Sequence, residues 1–366
     1  MDFFKNNTKF IIITSILIFV GFIMIIFNFD DDFIENRKSI GFIILGDINE
    51  PGWNSSHYNG IKAACDKFNL KLIVKDKVKV NSGQCTAAIE ELASEGCGMI
   101  FLASYSYSVE AQNIVGKYPD IAFATNSAEV HARNMTAYFV RAYQGRYLAG
   151  ALAGLKTKSN VIGYVAAMSN SEVNRQINAF TLGVHKTNPK AKVVVKWTGS
   201  WQDEAKEAEN AKELVQKAGA DVLTYHQDEA AVADMAEKLN VDFFAYNAIL
   251  NGYSPHYLAS VVCQWDSYYL DVVQRYLKGE LNSVRNHWIG IERNAVRLDN
   301  YSSSVTSEMR NKIEKLQNEL IDDKMIFFGE IYDNEGHLRC AEGNVIGDDI
   351  LLERMHWLVK GVEVID

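Results

Sequence analysis

The chain has 366 residues and a formal charge of −9, from 37 Lys and Arg against 46 Asp and Glu. Its 48% hydrophobic and 23% charged content is that of a globular protein, which excludes a disordered chain, a fibrous repeat and a multi-span membrane protein. At about 100–200 residues per domain the length suggests two compact units, and the acidic balance argues against nucleic acid as a partner.

In chain order, the first element is Phe10–Phe27 (FIIITSILIFVGFIMIIF), 18 residues without a charge. As a helix it spans about 27 Å, close to the hydrocarbon thickness of a bilayer. Lys5 and Lys9 precede it and Asp30, Asp31 and Asp32 follow, which points the N-terminus to the cytoplasm and the rest of the chain outside. A cleaved signal peptide is the competing reading. It normally has a shorter apolar core and an A-x-A-like site, which is missing here. The first cysteine is Cys65, so none stands at the end of the run to carry a lipid. Residues 1–29 are expected to be an uncleaved signal-anchor, with 10–27 holding the protein at the extracytoplasmic face of the membrane. Five cysteines predict no disulfide framework and leave one buried pair open.

Beyond the anchor, short apolar runs alternate with helical patterns. Strands are expected at Ile40–Leu45, Lys71–Val74, Gly98–Leu102 and Ile121–Ala124. Helices are expected between them at His57–Phe68, Cys85–Ser94 and Val109–Tyr118, and then at Ala142–Leu155. A second series follows, with strands at Val161–Val165, Lys192–Trp197, Val222–Tyr225 and Asp242–Tyr246. Its helices are Glu172–His185, Glu204–Ala218 and Ala230–Leu239. This alternation reads as βαβ units in parallel sheets, with strands buried on both faces. Two series predict two doubly wound α/β lobes facing a cleft, with ligands outside the carboxyl ends of the strands. Near the C-terminus, Ser307–Lys324 reads as a surface helix with a stripe of Met309, Ile313, Leu316, Leu320 and Ile321. Asp333-Asn334-Glu335-Gly336 reads as a turn between two strands, with oxygen spacing unlike that of a calcium loop.

Motifs for bond-breaking chemistry are missing. There is no G-x-G-x-x-G after the first strand, no P-loop, no G-x-S-x-G elbow, no H-E-x-x-H and no C-x-x-C pair. The strand ends instead carry rings and amides: Trp53, Asn54, Tyr105, Tyr107, Asn126, Asn174, Trp197, Trp201, Tyr246, Asn247 and Trp265. Aromatic faces stack on a flat heterocycle, and amides both donate to and accept from its edge. That is equipment for binding, with no metal and no cofactor implied.

From Ile40 onward the chain resembles the basic-membrane-protein group of substrate-binding proteins, the extracellular receptors of certain ABC importers. The resemblance rests on Gly46–Asn54 (GDINEPGWN), Ala137–Gly154 (AYFVRAYQGRYLAGALAG), Gly163–Gly183 (GYVAAMSNSEVNRQINAFTLG), Lys196–Glu207 (KWTGSWQDEAKE), Gly219–His226, Gln264–Tyr269 and Gly329–Gly343. It implies a type I periplasmic-binding-protein fold, two lobes joined by three crossovers. The first lobe would hold residues 39–157 and 263–286, and the second 158–262 and 287–366. The resemblance further implies a purine ligand, as nucleoside or as free base such as adenine. Trp53 would stack on the ring with Asn54 beside it, and Tyr105 and Asn126 would lie at the next strand ends. Trp197, Trp201, His226, Asp228 and Tyr246 would come from the second lobe, while Trp265 would serve either the ligand or the hinge. Asp47 is placed either for a ribose or for its own turn. Asn247 stands where a carboxylate is usual, which separates this chain from the pattern. Arg141, Arg146 and Tyr147 read as structural.

The expected function is therefore an extracytoplasmic receptor that closes on a purine-like ligand and hands it to an ABC permease and its ATPase. The alternatives are a sensor signalling through a partner and a nucleoside-processing enzyme.

Overall fold

The computed structural model describes residues 39–50, 52–126, 132–227, 230–247, 250, 253–281, 286–321 and 325–366. The expected anchor at 10–27, Asp228 and the end of the expected helix at 322–324 lie outside them. Among the described residues no helix is long and apolar enough to cross a membrane.

The chain opens with β1 (Ser39–Ile43), α1 (Trp53–Phe68), β2 (Lys71–Lys75), α2 (Gln84–Ser94), β3 (Met99–Leu102), α3 (Tyr107–Val115), β4 (Ala122–Thr125) and β5 (Met135–Val140). Next come α4 (Ala142–Lys156), β6 (Val161–Ala166), α5 (Ser171–Thr187), β7 (Lys192–Trp197), α6 (Glu204–Gln216), β8 (Val222–Tyr225), α7 (Ala231–Leu239), β9 (Asp242–Tyr246) and β10 (Tyr257–Cys263). The remainder comprises α8 (Trp265–Leu277), β11 (Asn286–Ile289), β12 (Val296–Asp299), α9 (Ser307–Ile321), β13 (Ile331–Tyr332), β14 (Leu338–Cys340) and β15 (Val362–Val364).

Two sheets result. The first is parallel throughout, in the order β11-β5-β4-β3-β1-β2. The second runs β12-β10-β9-β8-β6-β7-β15 and is parallel except for β12, which lies antiparallel on β10. Strands such as β3 (MIFL) and β8 (VLTY) are buried along their whole length, because helices cover both sheet faces. The chain passes between the sheets three times: at Arg141 after β5, at Gln264 after β10 and at Gly290 after β11.

The passages fall at other residues than expected. Helix α4, expected in the first lobe, packs on α5, β10 and β12 of the second. Strand β11 pairs with β5, so the first lobe reclaims the chain up to Ile289. The contact of α4 with α5 explains Gly150 and Gly154 of α4 and Gly183 of α5, whereas Gly145 faces Val261 and Val296 of the second sheet. A Cβ on Gly150 would sit 1.9 Å from the Phe180 carbonyl oxygen, and one on Gly183 would sit 2.0 Å from that of Tyr147. Helix backbones approach this closely only where both lack side chains.

The C-terminal segment adds β15 to the edge of β7 and folds β13 and β14 into a hairpin over the expected 333–336 turn. Asp333 accepts the backbone N–H of Glu335 (3.0 Å) and His337 (2.8 Å) there, and its other oxygen accepts from Arg339 Nε (2.7 Å). On α9, Ile313, Leu316 and Leu320 are buried, while Ile321 is exposed. All five cysteines are buried free thiols.

Candidate ligand-binding cleft

Each sheet reverses its strand order once, between β1 and β3 in the first lobe and between β6 and β8 in the second. Ligand crevices form at such points because neighbouring loops diverge above and below the sheet. The two reversals face one another across a cleft. The first lobe lines it with Leu45, Trp53, Ser104, Tyr105, Asn126 and Phe139. The second contributes Glu172, Trp201, His226 and Tyr246. The lobes touch at its rim, where Trp201 Nε1 donates to Ser106 Oγ at 3.3 Å.

Trp53 opens α1, and its Nε1 donates to the Ala103 carbonyl at 3.0 Å. One side of its ring meets His57 (4.1 Å between centroids), and His57 in turn meets Trp265 (3.8 Å). Trp265 is therefore buried packing behind the cleft wall. His57 is fully buried, with Nδ1 2.6 Å from the Tyr269 hydroxyl, and burial pushes its pKa well down. Tyr138 lies 3.0 Å from the same hydroxyl and approaches Asn126. Even so, neither amide atom of Asn126, itself buried, has a partner of hydrogen-bond geometry among the described residues.

Across the cleft, Glu172 and His226 form a buried pair, with Glu172 Oε2 3.1 Å from His226 Nε2. Burial outweighs the carboxylate's attraction and holds His226 below its usual pKa. Burial opposes ionisation of Glu172 as well, but His226, Arg175 and Gln176 outweigh it and keep the carboxyl low. The His226 ring leans on Trp201 (5.8 Å) and Tyr246 (5.4 Å). Behind Tyr246 lies Arg146, fully buried, with its guanidinium 3.9 Å from the ring centre. Arg146 also donates to Gln176 Oε1 (3.1 Å), Thr224 Oγ1 (3.1 Å) and the Tyr225 carbonyl (2.7 Å), a structural role within the second lobe.

Of the expected site residues, Trp53, Tyr105, Asn126, Trp201, His226 and Tyr246 come together on the cleft. Asn54 does not reach it. Its Oδ1 accepts from Gly46 N–H (3.2 Å) and its Nδ2 donates to Glu50 Oε2 (3.0 Å), which clamps the loop after β1. A Cβ on Gly46 would collide with that amide at 2.2 Å, so the Gly and the Asn of the motif serve one contact. Asp47 serves its turn, accepting from Asn49 N–H (2.9 Å) and pairing with Lys77 (2.8 Å), which brings its pKa down to about 2. Trp197 also lies elsewhere. It ends β7, one strand beyond the reversal, and faces a separate groove with Ser169, Asn174, Asp333, Arg339 and Trp357. Asn247 is buried beyond Tyr246 in a left-handed conformation (φ 54°), outside the cleft lining.

Four lining residues, Leu45, Ser104, Phe139 and Glu172, went unread in the sequence. Leu45 is the last residue of the expected first strand, and Ser104 lies just beyond the end of the expected third. Glu172 had one signal, its place in the first turn after β6, where the helix N-terminus favours a carboxylate. Phe139 had none, since it lies inside β5, a strand that no sequence signal marked.

A family model described as an ABC transporter substrate-binding protein, PnrA-like (Bmp), matches residues 37–335. A purine-binding protein of Brucella abortus is 29% identical, over 90% of this chain and 94% of its own. A protein of Haloferax volcanii named for glucose binding in an ABC transporter is 27% identical, over 88% and 79%. Among solved structures, an ABC transporter solute-binding protein from Aeropyrum pernix K1 superposes with a TM-score of 0.67 at 14% identity, covering 78% of this chain and 91% of that one. The last likeness shows the fold, two α/β lobes around a cleft.

Proposed function

The chain belongs to the Bmp family of PnrA-like ABC transporter substrate-binding proteins, and we propose that its own ligand is a purine-like heterocycle bound between the lobes. The observation that carries this reading is the composition of the cleft. Rings from both lobes (Trp53, Tyr105, Trp201, His226 and Tyr246) surround one space together with an unpartnered amide, Asn126. Indole and phenol faces sandwich a flat ring, and an amide reads its polar edge. The purine-binding name of the Brucella relative points the same way.

A ligand gripped from both lobes binds the closed form better than the open one and draws the population towards it. The closed, loaded receptor would then pass the ligand to its permease. We further propose that Phe10–Phe27 holds the receptor at the extracytoplasmic face of the membrane.

A second reading is a sugar ligand, favoured by the Haloferax relative's name and by the fact that aromatic walls also pack on sugar rings. Full-length protein purified in detergent, denatured and analysed by mass spectrometry should release a purine, and calorimetry should return micromolar or tighter binding of that compound. Release of a sugar, with no heterocycle bound at micromolar concentration, overturns the purine reading.

A further inference from the structure

We infer that Glu172 and Asn126 read opposite edges of the ligand, and that Glu172 accepts a hydrogen bond from an unsubstituted ring N–H. This rests on the heterocycle reading above and deepens it from ligand class to the substitution pattern of the ring.

Glu172 stands in the first turn of α5 and is 4% exposed, yet it lines the cleft. Its Oε1 is occupied by Gln176 Nε2. Gln176 is fixed in turn by Arg146, which the Thr224 hydroxyl and the Tyr225 carbonyl hold from behind. That chain leaves the carboxylate little freedom to turn away. Its other oxygen, Oε2, is 3.1 Å from His226 Nε2 but has no donor in hydrogen-bond alignment. The nearby Arg175 directs its Nη1 to the carbonyls of Leu351 and Ser171 (3.4 Å for Ser171), not to the carboxylate.

A buried carboxylate oxygen whose nearest donor, His226 Nε2 at 3.1 Å, is out of hydrogen-bond alignment is left under-satisfied, which is a costly arrangement. A ligand that brings an N–H to it removes that cost only when bound, so the site favours such a ligand strongly. On the opposite lobe, Asn126 offers both a donor and an acceptor, and neither is used. An amide of this kind pairs in bidentate fashion with an adjacent amino group and ring nitrogen, as Asn does with an adenine edge. The two demands describe one ligand: a planar aminated heterocycle that still carries a ring N–H. Substitution at that nitrogen, by a methyl group or a sugar, removes the donor and leaves Glu172 unsatisfied, a loss against which such sites discriminate strongly.

The test compares adenine with 9-methyladenine on the full-length protein by titration calorimetry, for the native chain and for Glu172→Gln. Folding of the variant is checked by thermal melting, and the comparison on the native chain stands without it. The native protein should bind 9-methyladenine about 10- to 100-fold more weakly than adenine, the range of a hydrogen bond to a charged group. In Glu172→Gln the affinity for adenine should fall and the gap between the two ligands should shrink several-fold, because the amide carbonyl accepts only as a neutral group. Equal binding of both compounds by the native chain overturns the inference, as does a gap that Glu172→Gln leaves intact. In either case the heterocycle reading stands. Failure of the native chain to bind any purine overturns both.

Discussion

Trp53 stands at the boundary between core and cleft. Its indole N–H is tied to Ala103 and one side of its ring rests on His57, so the ring is held in place before a ligand arrives. Trp53→Ala should weaken heterocycle binding by about 1–3 kcal/mol, borrowing the scale measured for bases stacked on aromatic side chains. Calorimetry beside a urea melt separates this from packing. A loss of stability with unchanged affinity would return Trp53 to the core. The motif that drew attention to Trp53 also drew it to Asn54, Asp47 and Trp197, which carry loop or groove contacts instead. Residue type marked all of them alike. The direction of a side chain depends on which neighbours the folded chain places around it, and Gly46, Lys77 and the C-terminal segment are those neighbours.

At the scale of elements, helices α4 and α5 pack backbone against backbone at Gly150 and Gly183. Gly183→Ala would drive a methyl group into the Tyr147 carbonyl, whereas a Cβ on Gly116, at the end of α3, meets nothing within 4 Å. Gly183→Ala should destabilise by about 1–3 kcal/mol or more, as overpacking does, while Gly116→Ala should lie within about 0.5 kcal/mol of the native protein. Equal denaturation midpoints for the two variants would remove the close-approach explanation. The strands and helices of both series were legible because each lobe's parallel strands are continuous apolar runs. Strand β5 was hidden, since MTAYFV directly precedes α4 and has no turn signal after it. Strands β10, β11 and β12 lie around the second and third passages between lobes, where the βα alternation breaks.

At the scale of the whole molecule, buried histidines contribute to the response to acid, His57 and His226 among them. His57 and His226 have pKa values below 6.5 because burial disfavours their charged forms. The unfolded chain binds protons at these sites below about pH 6.5 and the folded chain resists them, so stability is present above that pH and is lost as the pH falls. Glu207 acts in the opposite sense: burial pushes it up to about 7, so its contribution is lost as the pH rises through neutrality. Thermal melting should show a steeper loss from pH 7 to pH 5 in the native protein than in His57→Gln. Parallel curves would show that His57 does not couple protonation to folding.

The sequence by itself determined two doubly wound lobes, the aromatic character of the strand ends and the family resemblance, because hydrophobic period and motif spacing are local properties of the chain. Only the tertiary structure decided which strand ends meet. It moved α4 into the second lobe and turned Trp197 and Asn54 away from the cleft. It also brought Glu172 and Asn126, from different lobes, to the lining of one cleft. Those outcomes depend on strand order and on side-chain neighbours far apart in the chain, and no local pattern encodes them.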